Sequence, residues 1–313
     1  MKQKTFYDIY NYPDGFEKRK EFWKKQLNWH TDLSKLKDKK VLDVGCGTGT
    51  FSKILHDYGA DVHAIDLSKE SINRVNKNYP EIKAEVGDAL ELKFPDNCFD
   101  AVMSIGVLHH TNNSYKGLQE CIRVCKPKGR VIIILYTKWH YYPLMYNGFK
   151  LLKNGRKPED MPKWIIKAVK GFAEWYYKEK RTEDDAVRLI ADQFFTPIAR
   201  FHSEFEVRKW AEDNGCSLAS TSTTYFGQHK IYNIVKEEKE RKYDVASGEG
   251  FYAKVDEGKL AIAGIALIAS IFFGAMNVIA NGFLVMAVQA GGFISYITGL
   301  ALLFNSIKTN ETT

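Results

Sequence analysis

The stretch Val41-Leu42-Asp43-Val44-Gly45-Cys46-Gly47-Thr48-Gly49-Thr50 decides the fold of this chain of 313 residues. Its first part is a mainly apolar run typical of a β-strand, its second part is a glycine-rich turn, and residues 51–55 follow with a helical pattern. A glycine-rich turn between a strand and a helix lets the backbone approach a ligand closely and directs helix N–H groups at it. Such turns also close α/β units that bind nothing, so the turn alone leaves both interpretations open.

Strand-like and helical segments continue to alternate on the C-terminal side of this stretch. The further strand-like runs lie at 62–65 before Asp66, before Gly87-Asp88-Ala89, at 99–105, and at 130–136 after Lys126-Pro127-Lys128-Gly129. This alternation predicts an α/β fold, a doubly wound parallel sheet of the Rossmann-like kind. Ligands of such sheets bind at the carboxyl ends of the strands, which is where these polar residues fall.

The glycine spacing excludes two common nucleotide-binding motifs. The G-x-G-x-x-G pattern of dinucleotide sites would need a glycine at position 50 or 52, where the chain has Thr50 and Ser52. A P-loop would need Gly-Lys-Ser or Gly-Lys-Thr after the turn, and the chain does not have it. A ligand of this turn is therefore of another kind.

The motifs taken together resemble those of the class I S-adenosylmethionine-dependent methyltransferases. The resemblance rests on residues 41–49, Asp66, Gly87-Asp88-Ala89, Phe99-Asp100-Ala101-Val102, Ile105-Gly106-Val107-Leu108-His109-His110 and Lys126-Pro127-Lys128-Gly129, in this order. It covers residues 38–136 well and 203–235 more loosely. It implies a seven-stranded methyltransferase sheet that ends in an antiparallel hairpin, here a helix at 204–214 and strands at 217–224 and 231–235.

The resemblance also implies that S-adenosylmethionine is the cofactor. Asp43 and the backbone of the turn would hold its methionine part, Asp66 would accept both ribose hydroxyls, and Asp88 would accept the adenine amino group. Leu67 and Ala89 would form apolar walls. The complete predicted cofactor set is Asp43, Gly45, Cys46, Gly47, Gly49, Asp66, Leu67, Asp88, Ala89 and Ile105.

Each of the three acids also has a purely structural interpretation. Asp43 could cap the next turn, Asp66 could be the N-cap of a helix that begins near Ser68, and Asp88 could be a solvated loop carboxylate. All three coincidences would be needed to explain the set without a cofactor.

His109 and His110 are the candidate catalytic residues. Methyl transfer from a sulfonium is an in-line displacement that needs positioning and no protein nucleophile. An acceptor hydroxyl or phenol must still lose a proton, and an imidazole titrates near the working pH. The alternative is that one of the two packs beneath the cofactor with its nitrogens satisfied.

Residues 260–307, a tract of 48, contain no Asp, Glu, Lys, Arg or His. One helix of that length would extend about 72 Å, more than twice the ~30 Å hydrocarbon core of a bilayer. The turn-forming Asn281-Gly282 divides the tract into two spans, so we expect a C-terminal two-helix transmembrane hairpin. Lysines flank only its outer ends, which places the catalytic domain and both termini on the cytoplasmic face of the cell membrane. The alternative is a buried apolar helix pair in a soluble core.

The other segments complete the predicted organisation. We expect an N-terminal helical arm, a methyltransferase core, a helical lid insertion, a charged linker and the transmembrane hairpin, at residues 1–39, 40–136 with 203–235, 137–202, 236–259 and 260–307. The arm would close over the cofactor. The insertion is far longer than one connection needs, which is typical of a substrate lid.

Residues 163–180 within the lid combine apolar residues at helical spacing with lysines and with Trp164 and Trp175. This pattern is typical of a helix that lies in a membrane interface. The alternative is a helix that packs over the sheet and keeps its lysines in water.

Composition excludes several other classes of protein. The five cysteines, an odd and sparse set, suit a reducing compartment better than a disulfide framework. They show no zinc-ligand spacing, so we expect no metal site. The net charge of +7 accompanies no nucleic-acid-binding motif, so we expect no nucleic-acid partner.

These observations predict a membrane-anchored methyltransferase that acts on a lipid-soluble acceptor, such as a prenylated quinone precursor or a lipid headgroup. Anchoring raises the effective concentration of an enzyme near a substrate in the bilayer. Two alternatives stay open: a soluble sugar or protein acceptor with the hairpin recruiting the enzyme to a membrane complex, and a non-catalytic subunit that keeps the fold.

Overall fold

A computed structural model of the chain describes residues 3–10, 17–152, 155–177, 179–224 and 227–238. Residues 1–241 form one compact unit. The predicted transmembrane hairpin at 260–307 and the linker beyond residue 238 lie outside the described residues. Within the described part of the chain, no helix is both long and apolar enough to cross a bilayer.

The described unit is built on one mixed sheet. Its strands are β1 Lys40–Val44, β2 Asp61–Asp66, β3 Lys83–Val86, β4 Phe99–Ile105, β5 Cys125–Thr137, β6 Phe201–His202, β7 Cys216–Thr224 and β8 His229–Lys236. Seven of them lie in the order β3-β2-β1-β4-β5-β8-β7, and β6 pairs with β5. Strands β1 to β5 are parallel, whereas β8 pairs antiparallel with both β5 and β7. The predicted Rossmann-like α/β sheet is confirmed, with its antiparallel hairpin at the C-terminal end.

Helices cover both faces of this sheet. They are α1 Gln3–Ile9, α2 Glu17–His30, α3 Thr50–Asp57, α4 Lys69–Asn78, α5 Ser114–Val124, α6 Tyr141–Leu152, α7 Lys163–Tyr177, α8 Glu183–Ile190 and α9 Glu204–Asp213, with short 3₁₀ turns at Leu33–Leu36, Leu108–His110 and Pro158–Asp160. Val41 belongs to the hydrophobic cluster under α2, α3 and α4, while its neighbour Leu42 belongs to the cluster under α5 and α9. Because successive strand residues face opposite sides, a strand buried on both sides is mainly apolar, and Val41, Leu42 and Val44 of β1 are all buried.

The start of β5 differs from the sequence prediction. We expected Lys126-Pro127-Lys128-Gly129 to be a turn before a strand at 130–136, but β5 begins at Cys125 and includes these residues. The pairing with β4 shifts register between Phe99 and Ala101. Lys128 has a φ of 64°, and a Cβ on Gly129 would lie 2.6 Å from the Cys125 sulfur. The segment is therefore an irregular part of the strand, which only glycine at position 129 can accommodate.

Two element boundaries also differ from the predicted organisation. The end of the predicted lid, Phe201–His202, is strand β6 and joins the sheet. Lys236, the predicted first residue of the linker, ends β8, and its ammonium donates to the carbonyls of Ile122 and Cys125 at 2.8 Å each. The sheet thus holds one residue of the predicted linker.

The lid consists of α6, α7 and α8 and a π-helical turn at Ala191–Phe195. Ile166 on α7 packs in a cluster with Phe6 and Tyr10 of the N-terminal arm and with Ala186 and Ile190 of α8. The Tyr10 hydroxyl donates to the Glu159 carboxylate at 2.8 Å. The arm and the lid therefore pack against each other through both apolar and polar contacts.

Candidate functional site

The glycine turn lies at the carboxyl end of β1 and leads into α3. Gly45, Gly47 and Gly49 all have positive φ angles, of 76°, 53° and 88°. A Cβ on Gly45 would lie 2.4 Å from a methyl carbon of Val107, so no larger residue fits there. A Cβ on Gly47 would meet no described atom within 4 Å. The turn is tightly packed on its inner side at Gly45 and open at Gly47.

Asp66, at the end of β2, braces this turn. One carboxylate oxygen accepts the Gly47 N–H at 2.9 Å, and the other accepts the Ser68 N–H at 2.8 Å. Burial raises the pKa of Asp66 above its ordinary value. Each oxygen retains a lone pair, so the carboxylate can still accept the two hydroxyls of a ribose. The N-cap of α4 is Ser68, whose hydroxyl accepts from the Ser71 N–H, and the structural alternative for Asp66 is wrong in that respect.

Asp43 is buried near the end of β1. Its carboxylate accepts a hydrogen bond of 2.6 Å from the hydroxyl of Ser52 on α3. Burial, reinforced by the negative charge of Asp66, raises the pKa of Asp43 to about 7. Neither acid forms an ion pair with a cation among the described residues. Two neighbouring carboxylates, of which Asp43 is buried and Asp66 half-buried, form a site that favours a cationic ligand when they lack a counter-charge.

The other predicted cofactor residues lie at the same edge of the sheet. Asp88 follows β3, is exposed and accepts the Leu90 N–H at 2.8 Å. Leu67 is exposed beside Asp66, Ala89 packs against the core, and Ile105 ends β4. Burial raises the pKa of the Cys46 thiol well above its usual range, so this thiol stays neutral within the turn. The sheet register therefore brings the predicted set to the carboxyl ends of β1 to β4.

Two features of the backbone fit an extended ligand here. A Cβ on Gly106, which follows β4, would meet no described atom within 4 Å, as at Gly47. The N-cap of α3 is Gly49, and no side chain caps that helix end. Both open backbone surfaces and the uncapped N–H groups face the same edge of the sheet, which suits a ligand with polar and apolar parts.

The N-terminal arm contributes residues that the motifs did not reveal. Asp8 on α1 accepts a hydrogen bond of 2.7 Å from the hydroxyl of Ser68, next to Asp66. The Tyr7 hydroxyl lies 3.2 Å from Oγ1 of Thr196, which follows the π-helical turn. Burial and the nearby Asp192 raise the pKa of Tyr7 well above its ordinary value, so its phenol stays protonated. The arm thus contacts both the cofactor edge and the lid.

His109 is buried in the 3₁₀ turn after β4. Its ring stacks on Tyr136 with 3.8 Å between the ring centroids, and His110 and His229 lie beside it. Neither ring nitrogen has a hydrogen-bond partner of good geometry among the described residues. Burial and the neighbouring histidines lower the pKa of His109 well below its ordinary value. This environment corresponds to the alternative in which one histidine packs in the interior.

His110 lies in a more polar environment. Its Nδ1 is 2.8 Å from the Ile198 carbonyl, which can only accept, so Nδ1 carries the proton and Nε2 is the basic nitrogen of the neutral ring. The ring centroids of Tyr7 and His110 are 5.9 Å apart. Burial lowers the pKa of His110, and the negative charge of Asp192 acts against this lowering. The geometry favours His110 over His109 as a proton acceptor.

The lid closes this region with aromatic side chains. Tyr136, Tyr142 and Tyr146, the tyrosine cluster, are buried together, with 4.9 Å between the ring centroids of Tyr136 and Tyr142. The hydroxyls of Tyr142 and Tyr146 donate to the carbonyls of Gln193 and Thr196. These bonds attach α6 to the π-helical turn, an element that often occurs at functional sites.

Comparison with known families agrees with this geometry. Residues 42–133 match the family described as "Methyltransferase domain". This part of the chain is similar to a methyltransferase domain. The matched segment runs from β1 into β5 and so includes the glycine turn, Asp66, Asp88 and both histidines.

Curated relatives are similar to about a third of the chain. A demethylmenaquinone methyltransferase of Renibacterium salmoninarum is 41% identical over 98 residues, 31% of this chain and 41% of the relative. A 2-methyl-6-phytyl-1,4-hydroquinone methyltransferase of Synechocystis is 39% identical over 97 residues, 30% of each chain. The chain spans less than half the length of these relatives.

A solved structure is also similar to the chain. Magnesium protoporphyrin IX methyltransferase from Synechocystis, crystallised with S-adenosylhomocysteine, is 19% identical, with a TM-score of 0.48; the match covers 70% of this chain and 84% of that one.

The residues of this site fit the cofactor. When bound, S-adenosylmethionine supplies a methyl group on a sulfonium. An acceptor takes this methyl group, and the sulfur leaves as a neutral thioether. Asp43 would attract its ammonium, Asp66 would accept from its ribose, and the open backbone at Gly47 and Gly106 would allow close approach. These groups act by orientation and charge, and the chain forms no covalent bond to the cofactor.

Substitution of the turn glycines separates binding from folding. Gly47→Ala should fold with a loss of about 1–2 kcal/mol from its left-handed backbone, yet bind S-adenosylmethionine at least ~10-fold more weakly because its methyl group enters the open face. Gly45→Ala should lose more stability, since its Cβ overlaps Val107. Thermal unfolding and calorimetry measure both effects. Unchanged affinity in the Gly47 variant would show that the cofactor does not pass this face.

Cofactor affinity should rise with pH up to about pH 7. The pKa of Asp43 is about 7 without ligand, and a bound ammonium lowers it, so binding releases a proton below that pH. We expect about a tenfold rise in affinity between roughly pH 5.5 and 7, below the range in which an α-ammonium titrates. Calorimetry with Asp43→Asn as the control should give weaker and pH-independent binding. The same slope in that variant would assign the proton to another group.

Proposed function

We propose that the chain is an S-adenosylmethionine-dependent methyltransferase that acts on a lipid-soluble acceptor, a prenylated quinone precursor or a lipid headgroup. The observation that carries this proposal is the tyrosine cluster, a buried aromatic surface in which the Tyr136 ring contacts the rings of both His109 and His110. Aromatic side chains bind flat apolar rings by stacking and exclude water from them. The quinone and phytyl-hydroquinone acceptors that the two relatives' names state support the same class.

His110 would receive the proton that a phenolic acceptor loses. Its Nδ1–H donates to the Ile198 carbonyl, which fixes the ring and leaves Nε2 as the base. Its pKa is lowered by burial, so the ring is neutral and able to accept a proton at neutral pH. Asp192, on the π-helical turn, would stabilise the imidazolium that forms.

We further propose that residues 260–307 anchor this domain to the cell membrane as a two-pass hairpin with both termini in the cytoplasm. The absence of charge over 48 residues and the lysines at the outer ends support this proposal. The cofactor is water-borne, whereas the proposed acceptor is not, so an anchored enzyme meets both at the bilayer surface.

The acceptor proposal is tested with the cofactor carrying a labelled methyl group. The full chain should label a phytyl hydroquinone in vesicles, and an Asp66→Ala variant should not bind the cofactor. A chain shortened to residues 1–241 should keep its turnover on a short-chain soluble analogue and lose about tenfold or more on the vesicle substrate.

Three outcomes of that assay point elsewhere. Equal turnover of the shortened chain in vesicles would remove the anchoring role of 260–307. Labelling of only soluble acceptors would favour recruitment to a membrane complex. Failure of the parent chain to bind S-adenosylmethionine would favour a non-catalytic subunit.

The two histidines should differ in their effects on catalysis. His110→Asn should lower kcat by about 10²-fold with little change in cofactor affinity, because it removes the base at Nε2 and keeps an N–H donor near the Ile198 carbonyl. His109→Gln should mainly lower thermal stability, since the ring is packed on Tyr136. Steady-state kinetics and thermal unfolding of both variants measure this difference. A larger loss of kcat from His109→Gln would reverse the assignment.

A further inference from the structure

We propose that helix α7 docks on an anionic lipid surface through one face, the tryptophan face, formed by Trp164, Ala168, Gly171, Phe172 and Trp175. This inference rests on the proposed function, in which the acceptor lies in a bilayer, and it names a second part of the chain that meets that bilayer. The tryptophan face lies within the described residues and is separate in the sequence from the tract at 260–307.

The three large aromatic side chains of the tryptophan face are mostly exposed to solvent. Trp164, Phe172 and Trp175 are 72%, 55% and 61% exposed. Ile166 and Ala173, on the opposite side of α7, are buried. The helix therefore has two apolar sides, one buried and one exposed.

The exposed residues form a continuous stripe. Their positions, 164, 168, 171, 172 and 175, follow the spacing of three and four residues that places side chains on one side of a helix. The rings of Phe172 and Trp175 contact each other at 5.9 Å between centroids. Scattered exposed apolar residues are ordinary, but an aligned aromatic stripe on one helix marks an interaction surface.

The charge beside the stripe favours a lipid surface over an apolar protein partner. Lys163 and Lys167 are exposed along its edge, and Lys170 follows on the same edge, 3.5 Å from Glu174, the single acid of α7. Lysines beside tryptophans suit the headgroup layer, where the ammonium groups meet lipid phosphates and the indole rings reach the acyl boundary.

The position of α7 connects this surface with the acceptor side of the site. α7 packs on α8, and α8 continues directly into the π-helical turn that carries Asp192 and Phe195. A bilayer on the tryptophan face would thus lie one helix away from the region where the acceptor is proposed to bind. Docking would bring the lid and the lipid-soluble acceptor together.

A photo-crosslinking amino acid in the full chain tests the contact without requiring turnover. p-Benzoylphenylalanine replaces Phe172 in one variant and Phe205 on α9, which is 58% exposed, in the matched control. Both variants share the tract at 260–307, so any difference between them comes from the described domain. In phosphatidylcholine vesicles we expect lipid adducts at position 172 and few at 205, with more at 172 when phosphatidylglycerol is present.

Two results would overturn the proposal. Equal lipid labelling at both positions, or none at 172, would show that the tryptophan face does not meet the bilayer. Chain-to-chain adducts at 172 in place of lipid adducts would show that a second copy covers it.

A kinetic comparison separates this inference from the proposed function. Trp164→Ser with Trp175→Ser should raise the KM for a vesicle-embedded acceptor about tenfold, while Trp29→Ser, at a residue 69% exposed on α2, should not. Cofactor affinity and turnover of a soluble analogue should stay unchanged in both. An unchanged vesicle KM in the double variant would contradict the docking face, whereas absence of turnover in the parent would contradict the proposed function alone.

Discussion

The carboxylate of Asp66 holds together the two loops on which the site depends. Its bonds to the N–H groups of Gly47 and Ser68 join the turn after β1 to the start of α4. The central strands β1 and β4 are largely buried, and Asp66 lies at the carboxyl end of β2, where ligands of parallel sheets bind. Val107, which closes against Gly45, fixes the turn from the β4 side. Fold and site therefore share one set of constraints.

The acids of this region have no positively charged partner among the described residues. Asp43 is buried and Asp66 is half-buried beside it. Desolvation raises the pKa of both, and neither pairs with a cation among the described residues. A structural role alone would favour an amide at position 43, because a neutral acceptor serves the Ser52 hydroxyl at a lower desolvation cost. A cationic ligand such as S-adenosylmethionine gives these acids a counter-charge.

The sequence predicted the sheet and the cofactor edge because both depend on local patterns. Residues 99–105 were expected as a strand and are β4, and the glycines needed at positive φ could be recognised from the turn alone. Lys128 and Gly129 misled the prediction for β5, because a lysine at positive φ inside a strand carries no local signal. Tyr7, Asp192 and Thr196 were missed for another reason. Tyr7 lies more than 180 residues from Asp192 and Thr196 in the sequence, and only the packing of the arm on the lid brings all three to His110.

A crystal structure of the full chain with S-adenosylhomocysteine would show whether the edge formed by Gly47, Asp66 and Gly106 holds the cofactor. We expect ribose hydroxyls on the Asp66 carboxylate and the amino-acid part over Gly47 near Asp43. A ligand bound elsewhere, or ribose hydroxyls that do not contact Asp66, would contradict this expectation.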